Sequence, residues 1–201
     1  MNRRELLVGA ALLVTGTAHA AAQDTTWRDS TGPEIRSANR SYRRTYKANT
    51  QRLTVYRGFN TALDARVTWL SSDMRDAIAA QRDFLLRPSP EDQTAFREHL
   101  FADGRDYVEF VVMIDSELPR GERLGDTDDG WKMALAADDE PLELVQIERV
   151  RRPNPLQRTL YPDLNLWSDF YAVRFRRGER EPRRLVLGFS SGYGRGDLIW
   201  E

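Results

Sequence analysis

Residues 63–69 have the sequence Leu-Asp-Ala-Arg-Val-Thr-Trp, in which apolar and polar side chains alternate strictly. Because successive side chains of a strand point to opposite faces of its sheet, this period of two predicts a strand with one buried face. Residues 53–56 form a second extended segment, and Gly58-Phe59-Asn60 suits the turn between the two. The fold is therefore predicted to be built on β-strands.

Several later segments are also predicted to be strands. They are the strongly apolar run 107–114 and residues 131–136, 142–150, 170–175, 185–189 and 198–200. Turn-rich or charged links separate them, for example at residues 138–141 and 176–182. Six to eight short strands with frequent turns are typical of a sandwich. We therefore expect a mainly β fold, an antiparallel immunoglobulin-like β-sandwich.

A helical hairpin is predicted to be inserted between the early strands, at about residues 72–104. Ser71 is a good capping residue for its first helix. Ser89 is a good cap for the second helix, and Pro90 suits the first helical position. Gly104 is placed to end that helix, since glycine is common just after a helix C-terminus.

The first twenty residues have the pattern of an export signal. Arg3 and Arg4 give a positive start, and residues 6–14 form an apolar run that is too short to span a bilayer. The tripeptide Ala18-His19-Ala20 has the small-x-small pattern that a signal peptidase cleaves. We therefore expect residues 1–20 to be a cleaved signal peptide.

The leader predicts a compartment and an organisation for the chain. We expect a periplasmic or secreted bacterial protein, exported by the general secretory route rather than by the twin-arginine route that the paired arginines also fit. Residues 21–32 are polar and aperiodic and suit a flexible tether, and residues 33–201 are expected to form one domain. After cleavage no apolar stretch is long enough to span a membrane.

Few residues are suited to catalysis. The chain has no cysteine, and of its two histidines His99 alone follows the leader. These counts exclude disulfides, thiolate metal sites, a cysteine nucleophile and a multi-histidine zinc site. A serine nucleophile would need His99 as its base, and no nucleophile-elbow motif is present. No catalytic residue, cofactor or metal is therefore assigned, and a non-catalytic role is favoured. Because aspartate and glutamate are plentiful, a carboxylate-dependent hydrolase is the alternative.

Positive charge is concentrated between residues 35 and 63, which hold seven cations and no carboxylate. Residues 33–48 repeat apolar side chains at helical spacing, so they predict a basic amphipathic helix. Its cations, which lie on one side of the apolar stripe, are Arg36, Arg40, Arg43, Arg44 and Lys47. Such a face suits an envelope protein or an anionic polymer of the envelope. The alternative is that these cations pair with carboxylates of the same domain.

Two further charged regions have alternative interpretations. The later arginine groups, at residues 149–158 and 174–184, are interrupted or isolated, and nucleic-acid binding needs a continuous basic face, so no nucleic acid is expected. Asp126, Asp128 and Asp129 are clustered carboxylates of the kind that bind calcium. Gly130 follows them one residue too early for a helical-hand calcium loop. A calcium-dependent binding module is therefore a further alternative.

The order of elements resembles that of known protein families. The stretch Phe-Asn-Thr-Ala-Leu-Asp-Ala-Arg-Val-Thr-Trp-Leu-Ser at residues 59–71 leads into a charged helix. Asp-Phe-Tyr-Ala-Val-Arg-Phe follows at residues 169–175, and then a final strand. This order resembles families of exported bacterial proteins that are known as domains of unknown function. The resemblance implies a sandwich-like exported domain and carries over no active site.

Overall fold

The computed structural model describes residues 33–115, 124–125, 130–178 and 182–201, with side chains from residue 39 onward. The predicted signal peptide (1–20) and tether (21–32) lie outside these ranges, and so do Asp126, Asp128 and Asp129. Within the described ranges, no helix is both long enough and apolar enough to cross a membrane.

The described ranges contain four helices and nine strands. The helices are α1 (Pro33–Asn49), α2 (Ser72–Leu86), α3 (Pro90–Asp106) and α4 (Pro155–Leu160). The strands are β1 (Thr50–Arg57), β2 (Asn60–Trp69), β3 (Tyr107–Asp115), β4 (Lys132–Ala137), β5 (Glu140–Leu142), β6 (Leu144–Arg149), β7 (Asp169–Arg176), β8 (Leu185–Ser191) and β9 (Gly194–Trp200). The prediction of a mainly β fold with a helix before its first strand is confirmed.

The strands form two antiparallel sheets. The five-stranded sheet has the order β1-β2-β3-β7-β6, and the four-stranded sheet has the order β5-β4-β8-β9. One face of each sheet contributes to a common apolar core. Within it, the ring of Phe110 lies 6.1 Å from that of Phe175 and 5.3 Å from that of Trp200, which belongs to the other sheet. The alternation at residues 63–69 arises because β2 turns Leu63, Ala65 and Val67 into this core.

The helices cover the other face of the five-stranded sheet and form a second apolar core. This core joins Met74 and Ile78 of α2 and Leu100 of α3 to Met113 of β3 and Phe170 of β7. Both faces of β3 are therefore buried, and seven of its nine residues are buried. Two-sided burial explains why residues 107–114 are apolar without alternation.

Two boundaries differ from the prediction. Gly104 does not end α3, which continues to Asp106. Its lack of a side chain leaves room for Arg75, since a Cβ at Gly104 would stand 3.0 Å from Nε of Arg75. Residues 142–150 are not one strand, because the chain passes from β5 in one sheet to β6 in the other at Glu143. There the carbonyl of Glu143 accepts a hydrogen bond from the backbone N–H of Arg176, at 2.8 Å.

Ser71→Ala is expected to lower the free energy of unfolding by about 1 kcal/mol. Oγ of Ser71 accepts a hydrogen bond from the N–H of Met74 at 3.2 Å, and it donates one to Oδ1 of Asn49 at 2.7 Å, so it joins the ends of α2 and α1. Urea unfolding would measure the loss. The exposed neighbour Ser72→Ala is the matched control, and an equal loss in both variants would contradict the capping role.

Candidate functional site

One face of α1 is anchored to the domain by aromatic side chains. Tyr42 and Tyr46 are buried, and their rings stack with centroids 6.2 Å apart. The Tyr42 hydroxyl donates to the carbonyl of Leu160, and the Tyr46 hydroxyl donates to Oδ2 of Asp163 at 2.9 Å. These contacts fix the rotation of α1 about its own axis, so the opposite face is held toward solvent.

The exposed face of α1 carries a row of cations. Arg40, Arg43, Arg44 and Lys47 are all exposed, and their spacing of three, one and three residues places them on one stripe of the helix. We call these four residues the cationic face. The fifth predicted cation, Arg36, lies in α1, and its side chain is outside the described residues.

The cationic face has no internal counter-charges in the described part of the chain. No described carboxylate lies within 4.0 Å of any of its four cationic groups. Arginines elsewhere do pair: Arg52 with Asp64 at 2.6 Å, and Arg176 with Glu143 at 2.7 Å. The alternative that these cations pair with carboxylates of the same domain therefore has no counterpart among the described residues.

A cluster of carboxylates lies at one end of the five-stranded sheet, around Arg66. The guanidinium nitrogens of Arg66 stand 3.9, 3.3 and 4.0 Å from carboxylate oxygens of Asp64, Asp115 and Asp163 respectively. Hydrogen bonds from Arg52 hold the pKa of Asp64 below its usual value, against the opposing effect of burial. A general acid needs a raised carboxyl pKa instead. Asp64 therefore has the electrostatics of a charge-paired carboxylate rather than of a general acid.

A second charged group is buried between the helices and the sheet. Glu109 of β3 accepts hydrogen bonds from Arg75 of α2 and from Nε of Arg174 of β7, the latter at 2.6 Å. Arg174 also donates to Asp103 of α3, at 2.5 Å. No sequence pattern predicted this network. Its signal was the carboxylate of Glu109 inside an otherwise apolar strand, since such a group is buried only with partners.

The other residues considered for chemistry are dispersed. His99 is exposed on α3, so it does not face either core. Arg151 and Arg152 are exposed after β6, whereas Arg149 pairs with Asp169. Among the described residues, no group of three or more histidines or carboxylates is arranged to hold a metal ion.

Comparisons with known proteins give a distant structural likeness. No protein-family model matches the chain, and no curated protein matches it. The structure is similar to that of a protein of unknown function from Burkholderia pseudomallei, with a TM-score of 0.45 and 12% sequence identity. The similarity covers 83% of this chain and 85% of that one.

Proposed function

We propose that this protein is an exported, non-catalytic binding protein that holds an anionic polymer of the cell envelope on its cationic face. The observation that carries the proposal is the row of four exposed cations, with no carboxylate of the described residues within 4.0 Å of their charged groups. Such a row raises the local concentration of polyanions and binds their repeated charges. Export rests on the pattern of residues 1–20.

A polymer fits this surface better than a protein or a membrane. The described exposed residues of α1 are Arg40, Ser41, Arg43, Arg44, Lys47 and Ala48. They include no large apolar side chain, and protein interfaces draw most of their affinity from buried aromatic and aliphatic anchors. A helix that lies in a lipid surface needs a free apolar face. The apolar face of α1, which includes Tyr42 and Tyr46, is already buried in the second apolar core of the domain.

The proposal includes an immunoglobulin-like sandwich as the scaffold for this surface. Two antiparallel sheets with one shared core support that assignment. The sheets give α1 a rigid base, because Nε1 of Trp200, the last residue of β9, donates to the carbonyl of Asn49 at 3.0 Å. A helix that is already rigid loses little conformational entropy when it binds a ligand.

Binding to dextran sulfate tests the proposal, with neutral dextran as the uncharged control. We expect the logarithm of the association constant to fall against the logarithm of salt concentration with a slope of about −3, because each of four cation contacts to a single-stranded polyanion contributes about −0.7. The variant Arg40→Gln/Arg44→Gln is expected to reduce the slope to about −1.5. Fluorescence anisotropy of labelled dextran sulfate at several salt concentrations measures both slopes.

The matched control is Arg151→Gln/Arg152→Gln, which removes two exposed arginines elsewhere on the surface. It is expected to keep the slope of the unmodified protein. The free energies of unfolding of both double variants should lie within about 0.5 kcal/mol of that of the unmodified protein, since substitutions of exposed residues have small effects. Equal slopes for all three proteins, or an equal reduction in both double variants, would contradict a site on α1.

A further inference from the structure

A cleft of about 310 Å³ lies where the start of α2, the last turns of α3 and the start of β3 meet. Its volume is at the lower end of the range for small-molecule sites, about 300–1,000 Å³. The cleft involves none of the four residues of the cationic face. A ligand of the cleft would therefore be separate from the polymer proposed for α1.

The lining of the cleft combines apolar walls with positive charge. Trp69, Phe101, Tyr107 and Val108 are among the apolar and aromatic lining residues. Arg75, Arg105 and Arg177 supply guanidinium groups, and no carboxylate is among the described lining residues. A concave, partly apolar site with a few convergent charged groups is the usual form of a binding site for a small molecule.

The three arginines have different roles in this lining. Arg75 is buried, and it donates to the carbonyls of Leu70 and Leu100 and to Glu109, so its charge is compensated. Arg177 is held at the wall by a hydrogen bond from Nη1 to the carbonyl of Gly104, at 2.5 Å.

Arg105 is the lining arginine whose guanidinium is best placed to bind a ligand. It is exposed in the last turn of α3, and no described carboxylate lies within 4.0 Å of its guanidinium. A planar guanidinium binds carboxylate and phosphate groups through two parallel hydrogen bonds.

We propose that this cleft binds a small organic anion. The flat apolar body of the ligand lies against Trp69 and Tyr107, and its carboxylate or phosphate group is held by Arg105 with Arg177 beside it. Burial of the apolar body supplies affinity, and the charge-assisted hydrogen bonds supply orientation. A ligand without the anionic group, or without the apolar body, is expected to bind much more weakly.

Calorimetric titration of the purified protein tests the proposal. The probes are phenyl phosphate and benzoate, with inorganic phosphate and phenol as the two partial ligands. We expect at least one aromatic anion to bind, and both partial ligands to bind at least about tenfold more weakly. Arg105→Gln is expected to weaken the aromatic anion at least about tenfold, because it removes a pair of charge-assisted hydrogen bonds. A preference between phenyl phosphate and benzoate identifies the oxyanion.

The control is Arg195→Gln, which removes an exposed arginine from β9 in the other sheet and is expected to leave binding unchanged. Phenyl phosphate or benzoate should also shift the indole N–H resonance of Trp69, which places the ligand in the cleft. Three results would overturn the proposal: no binding of either aromatic anion at 10 mM, equal affinity in Arg105→Gln, or equal affinity for inorganic phosphate and phenyl phosphate. None of them bears on dextran sulfate binding at α1.

Discussion

Replacement of Glu109 by alanine is expected to lower the free energy of unfolding by about 3–5 kcal/mol. Glu109 is 5% exposed and accepts hydrogen bonds from two arginines that are themselves buried, Arg75 and Arg174. Removal of the carboxylate leaves two guanidinium charges in a poorly solvated space, with Asp103 as the acidic partner of Arg174 that remains among the described residues. The loss is large because buried charges without counter-charges are far more costly than paired ones.

Urea unfolding followed by tryptophan fluorescence measures this effect. The matched control is Glu143→Ala, which breaks the ion pair with Arg176 where both side chains are more than half exposed. That exposed pair is expected to contribute less than about 1 kcal/mol. If the two variants lose similar amounts of unfolding free energy, the Glu109 network is solvated and stabilises the fold no more than an exposed ion pair does.

The burial of β3 shows how far the sequence predicts this fold. The apolar run at residues 107–114 predicts a strand, and the alternation at residues 63–69 predicts the strand that pairs with it. Glu109 was visible as a charge in a buried strand, but its partners were not, since Arg174 is distant in sequence and no local pattern relates the two. Contacts of this kind depend on sheet register, which the local sequence does not specify.

The elements between the sheets were harder to predict. Residues 142–150 contain no turn signal at Glu143. The break between β5 and β6 follows only from their pairing in different sheets, which the local sequence does not indicate. α4 has six residues, too few for a helical period to be recognised. Its signal was the capping box of Asn154 and Gln157, with Pro155 at the first helical position.

The two proposed sites also differ in how far the local sequence predicts them. The cationic face of α1 was predicted because its charges follow one another along a single helix. The cleft draws its lining from Trp69 of β2, Arg105 of α3 and Arg177 after β7, which are far apart in the sequence, so no spacing in the sequence indicates it. Sites within one element can be predicted from local periodicity, whereas sites between elements require the topology.

Alkaline pH is expected to unfold the protein cooperatively, because three buried tyrosines resist ionisation. Burial raises the pKa of Tyr42, Tyr46 and Tyr161 well above the usual value, and the carboxylate of Asp163 raises the pKa of Tyr46 further. In the unfolded chain each tyrosine titrates at a pKa of about 10. Above that pH the unfolded chain releases protons that the folded chain keeps. The contribution of these three neutral tyrosines to stability is therefore complete below about pH 10 and is lost as the pH rises toward their raised pKa values in the folded protein.

The size of this effect follows from the number of protons released. Each tyrosine lowers the free energy of unfolding by about 1.4 kcal/mol per pH unit above its unfolded pKa, so three tyrosines lower it by about 4 kcal/mol per unit. A stability of about 5–15 kcal/mol would then be lost within a few pH units. We expect a steep increase in tyrosinate absorbance at 295 nm that coincides with loss of the far-ultraviolet circular dichroism signal.

Tyr46→Phe separates this mechanism from general alkaline denaturation. It removes the hydroxyl of one of the three tyrosines with a raised pKa, so the free energy of unfolding should fall by about 2.7 kcal/mol per pH unit instead of about 4. Tyr56→Phe is the matched control, because Tyr56 is 66% exposed, and it should keep the original slope. A tyrosinate absorbance that increases gradually while the fold persists would contradict the mechanism. Since Tyr42 and Tyr46 anchor α1, dextran sulfate binding should be lost over the same pH range as the fold.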